Sequence, residues 1–160
     1  MLRDRVTRWL LIGLSRLMAP FIRRGWLPST RLGGNLCVLH TRGHHSGRVR
    51  EASLNYGPAP DGIWLAAALG DGTGWYRNLL ADPVVRVRID GHWRRGEASV
   101  VRAPADRLAA LRAVLVGAGV VGRAYGFDPA TADDEQIKRA TAGVPAIHVR
   151  WVDDPAADRR

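Results

Sequence analysis

A chain of 160 residues has the length of one domain, and its hydrophobic fraction of 46% is typical of a globular protein that buries a core. The formal net charge of +9 comes from 23 arginines and a single lysine. The arginines are spread along the whole chain, with no basic run, zinc-ligand spacing or aromatic RNA-binding signature. We therefore expect no nucleic acid partner.

Residues 3–24 combine arginines with regularly spaced apolar residues, which predicts an amphipathic helix. One side carries Arg5, Arg8, Arg16 and Arg23, and the other carries Val6, Leu10, Leu14, Leu17 and Phe21. Arg16 interrupts the apolar stretch well short of the ~18 residues that indicate a transmembrane helix. Two interpretations stay open. In the first, the helix packs on another protein surface, either the domain itself or a second subunit of a homodimer. In the second, it attaches peripherally to the inner face of the cell membrane.

The only cysteine, Cys37, lies in the apolar run of residues 36–39. It cannot form an intrachain disulfide, and this cysteine usage is typical of a reducing compartment, so we expect a cytoplasmic protein. No neighbour in the sequence marks Cys37 as an activated thiolate, and a thiol in an apolar run usually behaves as a small hydrophobic side chain.

After residue 28 the pattern changes to the alternation of β-strands. Six strands are predicted at residues 35–41, 48–56, 62–69, 84–89, 92–102 and 145–152. Within residues 84–89 apolar side chains alternate with Arg86 and Arg88, as in a half-buried antiparallel strand. The Asp90-Gly91 pair that follows predicts a tight hairpin.

Helices are predicted outside this sheet. Pro104-Ala105-Asp106 begins one that continues to about residue 116, with Leu108, Leu111 and Leu115 on one stripe, and Asp133-Asp134-Glu135 caps a second, short one. The expected fold class is mainly β with flanking helices (α+β). Six strands fit a closed or partly closed barrel, because closure removes exposed edges, although periodicity alone does not distinguish a barrel from a sandwich. We divide the chain into an N-terminal helix (1–30), a sheet domain (31–153) and a flexible tail (154–160).

The strongest functional signal is residues 41–50, with the sequence T-R-G-H-H-S-G-R-V-R. Glycines let backbone N–H groups approach an anion, Ser46 adds a hydroxyl, and Arg48 and Arg50 can bind phosphate oxygens with two N–H groups each. The segment predicts a site for a phosphorylated ligand. A polar turn of this composition is also an ordinary connection between two strands.

A second motif, G-W-Y-R-N-L-L-A-D-P at residues 74–83, supports the first. Together they resemble the deazaflavin-dependent nitroreductase and quinone reductase family, whose members carry T-G-R-K-[ST]-G-x-x-R and W-Y-x-N-L-x-A-x-P. The positions in register are Gly43, Ser46, Gly47 and Arg50 in the first motif and Trp75, Tyr76, Asn78, Leu79, Ala81 and Pro83 in the second. A closing strand of the family has its counterpart at residues 139–147, so the resemblance extends from about residue 32 to residue 152.

The resemblance implies a split β-barrel related to flavin reductases. It also implies hydride transfer from reduced coenzyme F420 to a small hydrophobic, electron-poor acceptor, a quinone or a nitroaromatic, with the protein acting mainly by positioning. The implied cofactor-binding residues are His44, His45, Ser46, Gly47, Arg48, Arg50, Ala68, Leu69, Gly70 and Trp75. Tyr125 and Ser53 are the implied residues that position the substrate or the ring, and no side chain is marked as a catalytic acid or base.

Four positions differ from the family pattern. His44 and His45 replace a basic pair, Leu69 stands where relatives often have lysine, and Ser53 replaces a proline. Imidazoles neutralise a polyanionic tail poorly above their ordinary pKa of ~6.5. FMN, with one terminal phosphate, therefore stays open as the cofactor, as does a non-catalytic carrier of flavin, haem or a lipid-like ligand. Neighbouring strand residues point to opposite faces, so we expect no metal site at the two histidines.

Overall fold

The computed structural model describes residues 34–152, and the predicted N-terminal helix and tail lie outside these residues. The strands in this part of the chain are β1 (Leu36–Arg42), β2 (Val49–Asn55), β3 (Gly57–Ala59), β4 (Gly62–Ala66), β5 (Val84–Ile89), β6 (His92–Val100) and β7 (Ala146–Trp151). The helices are α1 (Gly74–Ala81), α2 (Pro104–Gly117), α3 (Val120–Arg123) and α4 (Asp134–Ala140). None of these helices is long and apolar enough to cross a membrane.

The strands form one antiparallel sheet in the order β2-β1-β5-β6-β7-β4-β3. The sheet curls into a half-barrel, so that β2 approaches β4 although the two strands do not pair. The predicted antiparallel sheet with flanking helices is confirmed. Its concave face holds the main core, which includes Leu39, Leu65, Val87, Ile147 and Val149, all fully buried.

The described sheet has seven strands, so the prediction of six was wrong. The missed strand, β3, contains only Gly57, Pro58 and Ala59, and this composition does not resemble a strand. Proline has no N–H to donate to a ladder and is tolerated at a sheet edge. Accordingly, β3 is an edge strand that pairs only with β4.

The strand predicted at residues 62–69 ends at Ala66. A turn follows, in which the Gly70 N–H donates to the Ala67 carbonyl at 2.8 Å and the Thr73 hydroxyl donates to the Gly70 carbonyl at 2.7 Å. Gly70 has a φ of +87°, which favours glycine. Ala68 and Leu69 are consequently exposed residues of a connection, not of a strand.

Two helices cover different parts of the sheet. Helix α1 packs Trp75, Tyr76 and Leu79 into the main core. Helix α2 lies on the other side, where Leu111 and Ala110 join Ala146 in a second buried cluster. Helix α4 begins at the predicted cap: Asp133 accepts from the Gln136 N–H at 2.7 Å, and Gln136 accepts from the Asp133 N–H at 3.1 Å.

Candidate functional site

An open cleft of about 420 Å³ lies between the β1–β2 loop (residues 43–48), strand β2 and the start of α1. Ten residues line it: Gly43, His44, His45, Ser46, Arg50, Glu51, Ala52, Gly74, Trp75 and Asn78. The two motifs singled out in the sequence therefore meet here, although some 30 positions separate them. The fold brings them together because α1 packs its buried side against the concave face of the sheet.

The backbone of the β1–β2 loop is held by its own hydrogen bonds. The Gly43 N–H donates to the Arg48 carbonyl at 2.8 Å, and the Gly47 N–H donates to the Gly43 carbonyl at 2.7 Å. Gly47 has a φ of +63°, and a Cβ atom built there meets nothing within 4 Å. The loop is therefore an ordered turn that leaves open space beside Gly47, as a backbone anion site requires.

Cationic side chains surround this turn. Arg48 and Arg50 are exposed, and neither forms an ion pair with another residue in the range 34–152. Ser46 Oγ lies 3.4 Å from the Arg48 N–H. Two arginines, a hydroxyl and a loop backbone form a donor set suited to a phosphate group.

Glu51 adds the opposite charge to the cleft wall, next to Arg50 in sequence. Its Oε2 atom lies 3.0 Å from His40 Nε2. A carboxylate here weakens the attraction of the arginines for an anion. Glu51 was not predicted as a site residue, because the strand residues that border a cleft depend on register and strand ends.

The cleft lining also includes the apolar residues Trp75 and Ala52. Trp75 is 9% exposed and meets the Tyr76 ring edge-on, with centroids 6.3 Å apart. Ala52 packs against the same core. A Cβ atom built on Gly74 meets nothing within 4 Å, so the space beside Trp75 is open. This part of the lining can accept a flat aromatic group.

A hydrogen-bond network with one buried end joins the loop to α1. The backbone N–H of His44 donates to Asn78 Oδ1 at 3.0 Å, and His44 Nδ1 lies 2.7 Å from the same oxygen. Asn78 Nδ2 in turn donates to Thr41 Oγ1 at 3.0 Å. Asn78 and Thr41 are 4% and 2% exposed. The network satisfies the buried amide and anchors the loop on the helix.

His44 and His45 lie in a turn, so the prediction that they point to opposite faces of a strand was wrong. Their ring centroids are 3.9 Å apart, with the ring planes inclined by 44°. Between residues 34 and 152, no three His, Cys, Asp or Glu side chains lie close enough to hold a metal ion.

The buried cysteine lies away from these groups, inside the main core. Burial raises the pKa of the Cys37 thiol from 9.0 to about 12. The thiol is therefore protonated and poorly nucleophilic near neutral pH.

The structure brings only part of the predicted set to the cleft wall: His44, His45, Ser46, Arg50 and Trp75. Gly47 and Arg48 belong to the same loop without lining the cleft.

Ser53 lies on the opposite side of β2 from Ala52, because successive strand residues alternate. Ala68, Leu69 and Gly70 lie in the β4–α1 turn, and Tyr125 lies after α3, with its ring centroid 6.4 Å from that of Phe127. Gly43, Glu51, Ala52, Gly74 and Asn78 complete the wall without having been predicted as site residues.

Comparison with known proteins gives one family match. The family model described as F420H(2)-dependent quinone reductase matches residues 23–126, which include the β1–β2 loop, α1 and Tyr125. No curated protein matches the chain.

Several solved structures share the fold at low sequence identity. A candidate 5-nitroimidazole antibiotic resistance protein from Bacteroides thetaiotaomicron is 15% identical, with 75% of this chain and 74% of that chain covered and a TM-score of 0.53. A candidate pyridoxamine 5'-phosphate oxidase from Listeria innocua is 11% identical, with 74% and 85% covered and a TM-score of 0.52. The heme storage protein HutZ from Vibrio cholerae is 14% identical, with 84% and 90% covered and a TM-score of 0.50. At these identities the likeness concerns the fold alone.

Proposed function

The chain belongs to the F420H(2)-dependent quinone reductase family, and from this premise we propose that it transfers a hydride from reduced coenzyme F420 to a hydrophobic, electron-poor acceptor. As a member of this family it is an oxidoreductase. The acceptor class that we propose is a quinone or a nitroaromatic. We further propose that the curled sheet is the split barrel of the flavin reductases and their deazaflavin-using relatives.

One observation carries the proposal: a cationic loop and an apolar wall border the same cleft. Arg50 and Ser46 line it together with Trp75. Coenzyme F420 has a flat ring and a phosphate followed by an acidic tail, so it needs both kinds of surface. The open spaces at Gly47 and Gly74 leave room for such a ligand beside each surface.

The bound deazaflavin supplies the hydride, from its ring carbon 5. The protein's own residues bind and orient it. Arg50, with Arg48 and the loop amides of His45 and Ser46, would hold the phosphate and tail through charge-assisted hydrogen bonds. The Gly47 N–H already donates to the Gly43 carbonyl, so Gly47 would contribute by leaving space for the anion. Trp75 would wall the ring pocket and exclude water from one side of it. Reduction of a quinone by a hydride also consumes one proton, which water can deliver to the exposed cleft.

Further contacts are proposed from the resemblance. Ala68 and Gly70 would approach the ring through their backbone. Leu69 would lie beside the cofactor without the tail contact that relatives make through a lysine at this position. Tyr125 would cover the acceptor. These residues lie outside the cleft wall, so their contribution requires a ligand that extends beyond the cleft or a movement of the connections that carry them.

The decisive experiment is a fluorescence titration of the purified protein with reduced coenzyme F420 and, separately, with FMN. The Arg50→Ala variant is compared with Arg139→Ala, which removes the same charge from α4, away from the cleft. We expect F420 binding that weakens at least tenfold in Arg50→Ala and stays unchanged in Arg139→Ala, together with turnover of a quinone acceptor. Each charge-assisted hydrogen bond contributes about 1.5–3 kcal/mol, which corresponds to tenfold or more.

The same titration separates the alternatives. Binding of FMN without F420 would make the protein a flavin-using split-barrel reductase. Binding of a cofactor without turnover of any acceptor would favour a carrier. Failure to bind either cofactor would overturn the proposal.

A further inference from the structure

We propose that Asn78 is a positioning residue that holds the His44 ring in a single tautomer, so that His44 Nε2 is the ring nitrogen that contacts the anionic end of the ligand. In this arrangement Nε2 donates a hydrogen bond only when both ring nitrogens carry a proton and the ring is positively charged. The identity of the ligand rests on the proposed function, whereas the tautomer follows from the protein alone.

The orientation of the Asn78 amide follows from one backbone contact. The His44 main-chain N–H can only donate, so the Asn78 atom 3.0 Å from it must be an acceptor. That atom is therefore the amide oxygen, Oδ1. The amide nitrogen then lies on the other side of the group, where it donates to Thr41 Oγ1 at 3.0 Å. The two contacts agree on one orientation of the amide.

The tautomer of His44 follows from that orientation. An amide oxygen carries no proton, so His44 Nδ1, 2.7 Å from Asn78 Oδ1, must carry the proton of their hydrogen bond. Nε2 then holds a lone pair in the neutral ring and a second N–H in the charged ring. Because Nδ1–H donates in both states, the ring keeps its position when it gains or loses a proton.

Burial differs sharply along this network. Asn78 and Thr41 are 4% and 2% exposed, whereas His44 is exposed and lines the cleft. Nε2 has no hydrogen-bond partner among residues 34–152. The network therefore has a fixed, buried end on α1 and a titratable nitrogen available to a ligand in the cleft.

The charged and titratable groups around the His44 ring come from the loop and from β2. The His45 ring centroid lies 3.9 Å from that of His44, Arg50 and Glu51 line the same cleft, and Arg48 belongs to the same loop. The α1 residue that contacts His44, Asn78, is uncharged. Anion binding and protonation of an adjacent imidazole favour each other, so affinity for an anion should be higher in acidic than in alkaline solution.

Two other histidines provide an internal comparison. His40 contacts Glu51 through Nε2 at 3.0 Å, and His148 contacts Asp61 through Nε2 at 2.9 Å. Carboxylates accept, so both rings carry a proton on Nε2. His44 alone of these three is held through Nδ1. One spectrum of the folded protein should therefore contain both tautomers.

The test is nitrogen NMR of histidine-labelled protein, with His44 assigned through His44→Gln. At pH 8 we expect a protonated Nδ1 and an unprotonated Nε2 for His44, and the reverse for His40 and His148. Sulfate, whose charge does not change between pH 5.5 and 8, then serves as the anion probe. It should shift the His44 Nε2 signal, with an affinity about tenfold higher at pH 5.5 than at pH 8, the gain expected from one charge-assisted hydrogen bond.

Variants of Asn78 test the positioning role. Asn78→Asp keeps an acceptor for Nδ1–H and should retain the tautomer, whereas Asn78→Ala should give a mixture of tautomers. If Asn78→Ala does not fold, the wild-type spectrum decides alone. A neutral His44 protonated on Nε2, or a mixture in the wild type, overturns the inference, and so does sulfate binding that leaves Nε2 unmoved or does not depend on pH.

The outcomes are distinguishable from those of the proposed function. Binding of F420 that depends on Arg50, with the wrong His44 tautomer, would retain the function and refute the inference. The expected tautomer and sulfate response without binding of F420 would retain His44 as an anion contact and refute the cofactor.

Discussion

Gly43 and Arg48 close the β1–β2 hairpin through a hydrogen bond of 2.8 Å between the Gly43 N–H and the Arg48 carbonyl. A Cβ atom on Gly43 would lie 2.7 Å from Ser46 Oγ and 3.2 Å from that same carbonyl. Only a residue without a side chain therefore allows both the closing bond and the observed position of Ser46. The geometry of the proposed anion loop depends on this glycine.

Gly43→Ala should accordingly destabilise the protein by about 1 kcal/mol, because the Ser46 hydroxyl must rotate away from the methyl group and the Arg48 carbonyl must move slightly. Gly74→Ala is the matched control, because Gly74 begins α1 and a Cβ atom built there meets open space. We expect it to be neutral or to stabilise by no more than about 1 kcal/mol. Urea denaturation of both variants measures the difference. Equal stability of the two would mean that the loop adapts freely and that Gly43 does not constrain it.

The Thr41–Asn78 hydrogen bond should couple the two residues energetically. Thr41→Val leaves the buried Asn78 amide nitrogen without its acceptor, and Asn78→Leu leaves the Thr41 hydroxyl without its donor. Each single change should cost about 1–3 kcal/mol of unfolding free energy. The double variant should cost less than the sum of the two, by about 0.5–3 kcal/mol.

The control for this cycle pairs Asn78→Leu with Thr141→Val. Thr141 is also buried, but its hydroxyl donates to the Ile137 carbonyl within α4. Those two changes should be additive within about 0.5 kcal/mol. Additivity in the Thr41 cycle as well would contradict the network.

The sequence predicted most of the sheet because its strands alternate apolar and polar residues on a half-buried surface. Val85 and Val87 are fully buried while Arg86 is exposed, as the alternation indicates. It missed β3, because Pro58 and Gly57 join the sheet only through the edge that β4 provides. Such a strand is determined by its neighbour and not by its own composition.

The candidate site was predictable only in its local parts. The loop and the α1 motif are contiguous segments, and their composition marked both. The contact between His44 and Asn78 joins positions 34 residues apart and depends on how α1 packs on the sheet. Spacing along the chain carries no information on such a contact. Sequence alone likewise did not indicate that Ala52 and Glu51 border the cleft.

Cys37 should make stability depend on pH above 9. Burial raises the thiol pKa from 9.0 to about 12 in the folded protein, so the unfolded chain releases this proton first. This contribution is complete below pH 9.0 and decreases as pH rises from 9.0 towards about 12. Because other groups also titrate there, the measurement is the difference between the wild type and Cys37→Ala. That difference should diminish with rising pH in denaturation experiments, and a constant difference would show that the folded thiol ionises normally.

Arg112 should stabilise the connection between α3 and α4. Its guanidinium donates to the carbonyls of Pro129 and Ala132 at 3.1 and 2.7 Å and to the Asp134 carboxylate at 2.7 Å. Lysine keeps the charge but cannot reproduce the planar set of donors. Arg112→Lys should therefore cost about 1–3 kcal/mol and increase amide hydrogen exchange around residues 129–134. Unchanged exchange there would mean that the three contacts do not hold this segment.

Glu51 should oppose anion binding, because it lines the cleft next to Arg50 in sequence, with its carboxylate 3.0 Å from His40 Nε2 on the other side of β2 from Ala52. Glu51→Gln removes the charge and nearly preserves the shape, so F420 should bind about three- to tenfold more tightly at low ionic strength, as expected for charges separated by several ångströms near a surface. The gain should diminish at ~0.15 M salt, where exposed charges are screened beyond about 8 Å.

Glu97→Gln is the control. Glu97 forms a comparable exposed ion pair, with Arg150 at 3.4 Å, but lies on β6 outside the cleft, and its loss should leave the dissociation constant unchanged. Equal tightening in both variants would assign the effect to net charge and remove Glu51 from the site. Tightening in Glu51→Gln alone would place the bound anion near Arg50.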